Sequence, residues 1–318
     1  IGNYILKILV TGASGFVGAA VCRQLTSESK NFLPVHRNDQ QLGSSMGSIS
    51  GSTDWSNALK EISHVIHTAA RVHVMKEKGT DSLSKFRKVN VEGTLNLARQ
   101  CAESGVKRFI FISSIKVNGE QTTNGMAFTE KDEPGPCDPY AISKYEAEER
   151  LRNMALETGM EVVVIRPPLI YGPRVKANFL SLMKLVKAGF PLPLGGVDNK
   201  RSMVSLNNIV DIIVTCLTHS KAGNQTFLIS DGEDLSVTQL LKRLASAMDL
   251  PSRLIPIPSP YLQFGLRIIG KQSIADRLLG SLQIDNTKIK KMLNWSPILN
   301  VDMGLRKTVT FFIGNSQK

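Results

Sequence analysis

Along the first half of the chain, short runs of nearly unbroken apolar residues alternate with longer stretches whose apolar positions recur every three or four residues. The runs at 5–10, 31–37, 64–69, 108–113 and 161–166 predict strands buried on both faces of a sheet. The stretches at 15–27, 82–103 and 139–157 predict helices. Strand and helix in strict alternation imply an α/β fold with a doubly wound parallel sheet. After Tyr171 the pattern loosens. PLPLGG, RLIPIPSP and NWSP punctuate shorter elements there, which predicts a smaller C-terminal α/β lobe.

At 318 residues the chain exceeds the usual size of one domain, in line with two lobes. With 42% hydrophobic and 21% charged residues, the composition is that of a soluble globular protein and not of a disordered one. Cys22, Cys101, Cys137 and Cys216 show no paired spacing, which argues for free thiols in a reducing compartment and against zinc sites or disulfides. IGNYILKILVTG runs straight into a strand and a glycine turn without a basic leader or cleavage site, so a cytoplasmic location is expected. The formal net charge of +12 suits either a nucleic-acid surface or a pocket for anionic small molecules on a basic exterior. Dispersed lysines and arginines favour the second, with no nucleic-acid partner. The stretch YLQFGLRIIGK at 261–271 is apolar enough to touch a membrane surface but too short to span one. Its apolar side is expected to pack inside the protein.

TGASGFVG, residues 11–18, joins the first strand to the first helix. Gly12, Gly15 and Gly18 permit a tight turn, close approach to a pyrophosphate, and close packing of helix on sheet. Ser14, Phe16 and Val17 bring free amides to the helix start, facing the phosphates. A Rossmann dinucleotide-binding domain is therefore expected over 1–176, completed by about 203–231, with the smaller lobe over 177–318. Folds of this kind that hold NAD place an acid about 20 residues onward, on the ribose 2′-hydroxyl. Here the second strand ends FLPVHR, with His36 and Arg37 at that place. A guanidinium attracts the 2′-phosphate that a carboxylate would repel, so NADP(H) is expected ahead of NAD(H). The alternative is a solvated Arg37 beside Asp39.

RFIFISSIKVNG, residues 108–119, ends an apolar strand in two hydroxyls. Ligands of parallel sheets sit beyond the carboxyl ends of strands, so Ser114 is expected in the cleft, while Ser113 is expected to satisfy local backbone. PYAISKYEAEERL follows at 139–151, where Tyr140 and Lys144, four apart, share a helix face. A phenol titrates near ~10, so acid and base work at neutrality needs its pKa lowered by up to about 3 units. A neighbouring ammonium and a positive nicotinamide supply that. Ser114 can hydrogen-bond the same substrate oxygen.

These stretches, with VIHTAAR (65–71), KVNVEGTLNL (88–97), VIRPPLIYGP (164–173), KRSMVSLNNIVD (200–211) and LNWSP (293–297), resemble the extended short-chain dehydrogenases/reductases of the nucleotide-sugar epimerase, dehydratase and reductase group, over nearly the whole chain. The resemblance implies that Ser114, Tyr140 and Lys144 are the catalytic set. It implies Ala69, Ala70 and Asn90 near the cofactor, Pro167 and Pro168 near the nicotinamide, and Ile49 packed on the adenine, where Ser48 replaces a common aspartate. In the smaller lobe it implies a UDP-sugar, with Asn178, Arg201 and Arg277 on the diphosphate and Leu192 along the nucleobase. Lys116 occupies a substrate-facing place, and His73 either faces the sugar or is structural. A homodimer through the helices at 82–103 and 139–157 is also implied.

Within that group a 4,6-dehydratase needs an acidic pair directly after the serine. Ile115 and Lys116 stand there, which disfavours dehydration. Arg37 and Lys116 then favour a reductase of a UDP-4-keto-6-deoxy-N-acetylhexosamine in bacterial lipopolysaccharide O-antigen synthesis. The alternative is a UDP-hexose or UDP-N-acetylhexosamine 4-epimerase with retained NAD. A non-catalytic dinucleotide sensor is more remote, since it would need neither Tyr140 nor Lys144.

Overall fold

The computed structural model describes residues 6–36, 49–72, 82–123, 125–268 and 270–315. Arg37, Ser48 and His73 lie outside the described residues, as do the side chains of Ser273, Ile274 and Arg277. The chain opens with β1 (Lys7–Thr11), α1 (Phe16–Ser27), β2 (Asn31–Val35) and β3 (His64–His67). It continues through α2 (Ser82–Arg87), α3 (Thr94–Glu103), β4 (Arg108–Ile112), α4 (Pro139–Thr158) and β5 (Glu161–Arg166). A two-stranded parallel sheet of β6 (Leu169–Tyr171) and β7 (Met203–Ser205) brackets α5 (Ala177–Ala188); α6 (Leu206–Thr218) and β8 (Thr226–Leu228) follow. The remainder is helical: α7 (Val237–Ala247), α8 (Ser259–Ile268), α9 (Gln272–Leu279), α10 (Thr287–Leu293) and α11 (Val301–Asn315).

The main sheet runs β2-β1-β3-β4-β5-β8, parallel throughout. Its strands read as continuous apolar runs because both faces are covered, and side chains of alternating parity divide between the two faces. Ile8, Val10, Ile110, Ile112, Val163 and Ile165 pack with α1 and α6, through Val21, Leu25, Ile209 and Ile213. Leu9, Phe109, Phe111, Val162 and Val164 pack on the other face with α3 and α4, through Leu97, Cys101, Ala147 and Leu151. Arg108, buried at the start of β4, donates from Nη1 to the carbonyls of Cys216, Leu217 and His219 at 2.7, 3.0 and 3.1 Å. It thus satisfies the carbonyl end of α6 and ties it to the sheet.

The single helix expected over 82–103 is interrupted. Between α2 and α3, Lys88–Gly93 forms a π-helical turn. α6 and β8 return the chain to the main sheet, so part of 203–231 stands with the N-terminal half. A separate buried cluster of Tyr171, Phe179, Met183, Leu240, Leu244, Leu305 and Val309 joins α5, α7 and α11, and Phe16 of α1 packs against it. Cys22, Cys101, Cys137 and Cys216 are all free.

Candidate active site

Parallel pairing in register brings four strand ends side by side. Thr11 lies opposite His67, His67 opposite Phe111, and Ile112 opposite Ile165. The chain therefore leaves the sheet at Gly12, Thr68–Ala70, Ser113–Ser114 and Pro167–Pro168 along one rim. Backbone bonds stitch these exits together. Thr68 N donates to Thr11 O at 3.3 Å, Ser113 N to Ile165 O at 2.8 Å, and Ile115 N to Pro167 O at 3.0 Å. The order of strands reverses beside β1, which is where a doubly wound sheet opens a crevice for ligands.

The glycine turn is built for close approach. Gly12 takes φ +70°, and a methyl on it would stand 2.7 Å from Ala69 N. A methyl on Gly18 would stand 2.2 Å from Gly12 O and 2.6 Å from Thr68 Oγ1. Only hydrogen fits at these places, so α1 starts tight against the ends of β1 and β3. Gly15 is its N-cap and offers no side-chain oxygen to the first-turn amides. Those donors and the helix dipole suit an anionic ligand, and Ser14 is exposed beside them. Ile49 packs on the Gly93 backbone of the π-helical turn, and His36 directly follows β2.

The hydroxyl, phenol and amine expected to act together are carried by the rim and by α4. Ser114, half-buried, is extended at φ −155°, ψ 147°, and its Oγ accepts from Lys116 N at 3.3 Å. Asp138 caps α4, accepting from Ala141 N at 2.7 Å, and Pro139 opens the helix. Tyr140 thus lies in the first turn, its ring edge-on to Phe86 at 6.1 Å. Burial and the Asp138 carboxylate push its phenol above the ordinary pKa. Lys144, one turn on, is buried beneath it. Its Nζ donates to Ile112 O at 2.8 Å and stands 4.3 Å from the Phe111 ring centroid. Burial draws its pKa down to about 7, against the opposing charge of Glu148.

Around this pair lies a buried polar frame that the sequence did not reveal. Ser113 donates to Glu148, not to local backbone as expected. Strand parity explains this, since Ser113 continues the Phe109 and Phe111 face toward α4. Glu148 also accepts from Arg166 Nε and Nη2 at 3.0 and 2.6 Å, and from Arg152 Nη2 at 2.8 Å. Arg166 Nη1 reaches Asn118 Oδ1 at 2.9 Å. Asn90, on the π-helical turn, accepts from Arg71 N at 2.8 Å and donates to Arg71 O and Ser143 Oγ, each at 3.0 Å. Ser143 donates on to Tyr140 O at 2.7 Å. A helix turn widened at Asn90 thus fastens the loop after β3 to the first turn of α4. His67 is held neutral by burial, its pKa near 3, with Nδ1 and Nε2 bonded to the Thr11 and Thr94 hydroxyls at 2.7 and 3.0 Å.

The remaining expected positions lie outside this frame. Where a substrate-facing charge is expected at Lys116, its ammonium is engaged by Asp138 and by Glu120, the latter at 3.1 Å. Asn178 is exposed in the first turn of α5. Leu192 is half-buried, with its amide on Arg253 O at 2.9 Å. Arg201 donates from Nη1 to Gly280 O at 2.9 Å. Arg277 lies on α9, with its side chain outside the description. Among the described residues no cluster of His, Cys, Asp or Glu could hold a metal ion.

A glycine-bounded crevice at the strand reversal, with a tyrosine and a buried lysine on the adjoining helix, is the arrangement of a dinucleotide-binding α/β protein. The sequence pattern of the NAD dependent epimerase/dehydratase family matches residues 8–230, and the chain belongs to that family. It is 48% identical over 315 residues to a UDP-glucose 4-epimerase of Vibrio cholerae, covering 96% of this chain and 95% of that one. It is 28% identical to the N-acetyl-α-D-glucosaminyl-diphospho-ditrans,octacis-undecaprenol 4-epimerase of Escherichia coli O157:H7, over 90% and 85% of the two chains. In fold it is similar to the UDP-glucose 4-epimerase of Thermotoga maritima, with TM-score 0.76, 23% identity and coverage of 98% and 100%.

Proposed function

We propose that the protein is an NAD-dependent 4-epimerase of a UDP-hexose or UDP-N-acetylhexosamine. The observation that carries this reading is the end-to-end 48% identity with the Vibrio UDP-glucose 4-epimerase. It displaces the reductase favoured from Arg37 and Lys116. Arg37 lies outside the described residues, and the Lys116 ammonium is engaged by two carboxylates. NAD takes the place of the expected NADP(H), in keeping with the family description.

The chain's own residues fit such a cofactor, because the glycine cradle and uncapped helix start leave a place for a diphosphate that side chains would fill. Gly12, Ser14, Gly15, Phe16, Val17 and Gly18 hold the diphosphate. His36 and Ile49 flank the adenosine end, and Ala69, Ala70, Asn90, Pro167 and Pro168 the nicotinamide end. Bound nicotinamide supplies the acceptor and donor for the hydrogen on sugar C4. Tyr140 takes the proton from the O4 hydroxyl and returns it, while Ser114 donates a hydrogen bond to the same oxygen. Lys144 anchors the cofactor ribose, and in its protonated form favours the phenolate against the upward push of burial. Asn178, Arg201 and Arg277 hold the UDP diphosphate and Leu192 lines the base.

The purified protein is incubated with UDP-glucose or UDP-N-acetylglucosamine without added reductant. Formation of the C4 epimer is the expected result. Consumption of NADPH with UDP-4-keto-6-deoxy-N-acetylglucosamine, and no conversion of the first two sugars, would restore the reductase.

A further inference from the structure

The smaller lobe carries an apolar surface that the proposed reaction does not use. On α8, Leu262 and Leu266, one turn apart, are half-buried, and Leu262 packs against the buried cluster of Val197, Val237 and Leu241. Tyr261, Phe264 and Ile268 fall on the opposite stripe, at i, i+3 and i+7, and are 72%, 66% and 68% exposed. The expectation that the apolar side of 261–271 packs inward holds for the two leucines and fails for this second stripe. α8 has two apolar stripes and the lobe covers one.

Neighbouring chain carries two more apolar side chains. Phe190 and Ile255 are also exposed. Their segments lie against each other, since Arg253 Nη1 donates to Gly189 O at 3.1 Å and Gly195 N to Ile255 O at 2.9 Å. The charge along these segments has a single sign. Residues 250–275 contain Arg253, Arg267 and Lys271 with no Asp or Glu, and residues 162–197 contain only cationic charges as well. Arg267 and Lys271, both exposed, stand at the C-terminal end of the apolar stripe.

We infer that α8 and the flanking loop dock the protein reversibly on an anionic lipid bilayer. Tyr261, Phe264 and Ile268 enter the boundary between headgroups and acyl chains, and Arg267 and Lys271 meet lipid phosphates. Charge complementarity points to that partner, because Arg253, Arg267 and Lys271 stand with no carboxylate between Asp249 and Asp276, and the matching surface is negative. Docking does not require crossing, and no described helix is long and apolar enough to cross a membrane. The docked helix packs against α9, which carries Arg277, so the surface adjoins the lobe proposed to hold the substrate diphosphate.

The test is flotation of the full chain with vesicles of phosphatidylcholine alone or mixed with phosphatidylglycerol, at low and high salt. Two variants accompany it, Tyr261→Ser/Phe264→Ser/Ile268→Ser and Arg267→Glu/Lys271→Glu. The wild type should float with the phosphatidylglycerol vesicles and be released by salt, and each variant should lose about tenfold or more in partitioning. Thermal midpoints should be unchanged, since the replaced side chains face solvent. The inference is overturned if the wild type fails to float, if phosphatidylcholine alone serves as well, or if the triple variant floats like the wild type. It is also overturned if the triple variant instead lowers the mass of the free protein at sedimentation equilibrium, the mark of a surface that binds a second copy.

Discussion

Replacing Lys144 by methionine keeps the length of the side chain and removes its charge. In the folded chain burial draws the lysine pKa to about 7 from an ordinary 10.5. Between those values the unfolded chain binds a proton that the folded chain has released, so this group makes stability rise with pH. The destabilisation is complete below the folded pKa and gone above the unfolded one. Between pH 7 and pH 9 single-proton linkage gives a change of about 2 kcal/mol. With an unfolding entropy of about 2.1 cal/mol/K per residue over 318 residues, that is about 3 °C in Tm. Calorimetry of wild type and Lys144→Met across this range should show the wild type gaining about 3 °C relative to the variant. His64 and His67, lowered to about 4 and 3 from an ordinary 6.5, are largely deprotonated in both the folded and the unfolded chain above pH 7, so they add little across this window. Parallel pH profiles for the two proteins would refute the buried-ammonium argument.

Other positions give sharp outcomes. Gly18→Ala places a methyl 2.2 Å from Gly12 O, so it should cost ~1–3 kcal/mol in stability and weaken NAD binding at least about tenfold by fluorescence titration; unchanged affinity would count against the cradle. Glu148→Gln leaves the Arg166 guanidinium buried without its counter-charge, and urea unfolding should show a loss of ~3–5 kcal/mol, larger than that of Glu148→Leu/Arg166→Met. Tyr140→Phe should lose turnover by about a hundredfold or more while still binding cofactor, and undiminished turnover would remove the phenol from proton transfer.

The parts of this molecule written in local pattern were legible from the chain. Continuous apolar runs such as RFIFI and VVVI, short and β-branched or aromatic, read as strands covered on both faces, and the glycine spacing at 12, 15 and 18 marked the crevice. Features that depend on tertiary meeting were not. Glu148 is one of several carboxylates in YEAEER, and nothing local distinguishes it as the partner of Ser113 and Arg166, which come from two different strand ends. The π-helical turn at Lys88–Gly93 was not legible either, because a single wider turn inside a helical stretch cannot be told in sequence from a change in which face is buried. For α8 the composition was clear but not its two-sidedness, since apolar residues on both stripes look alike until packing selects one.

The proposed 4-epimerase would move hydrogen off sugar C4 and back onto it within one active site. UDP-glucose deuterated at C4 is incubated with the protein in ordinary water without added reductant, and the recovered sugars are analysed by NMR and mass spectrometry. A 4-epimerase should yield UDP-galactose that keeps its deuterium at C4. Loss of the label, or no conversion unless NADPH is supplied, would contradict the account.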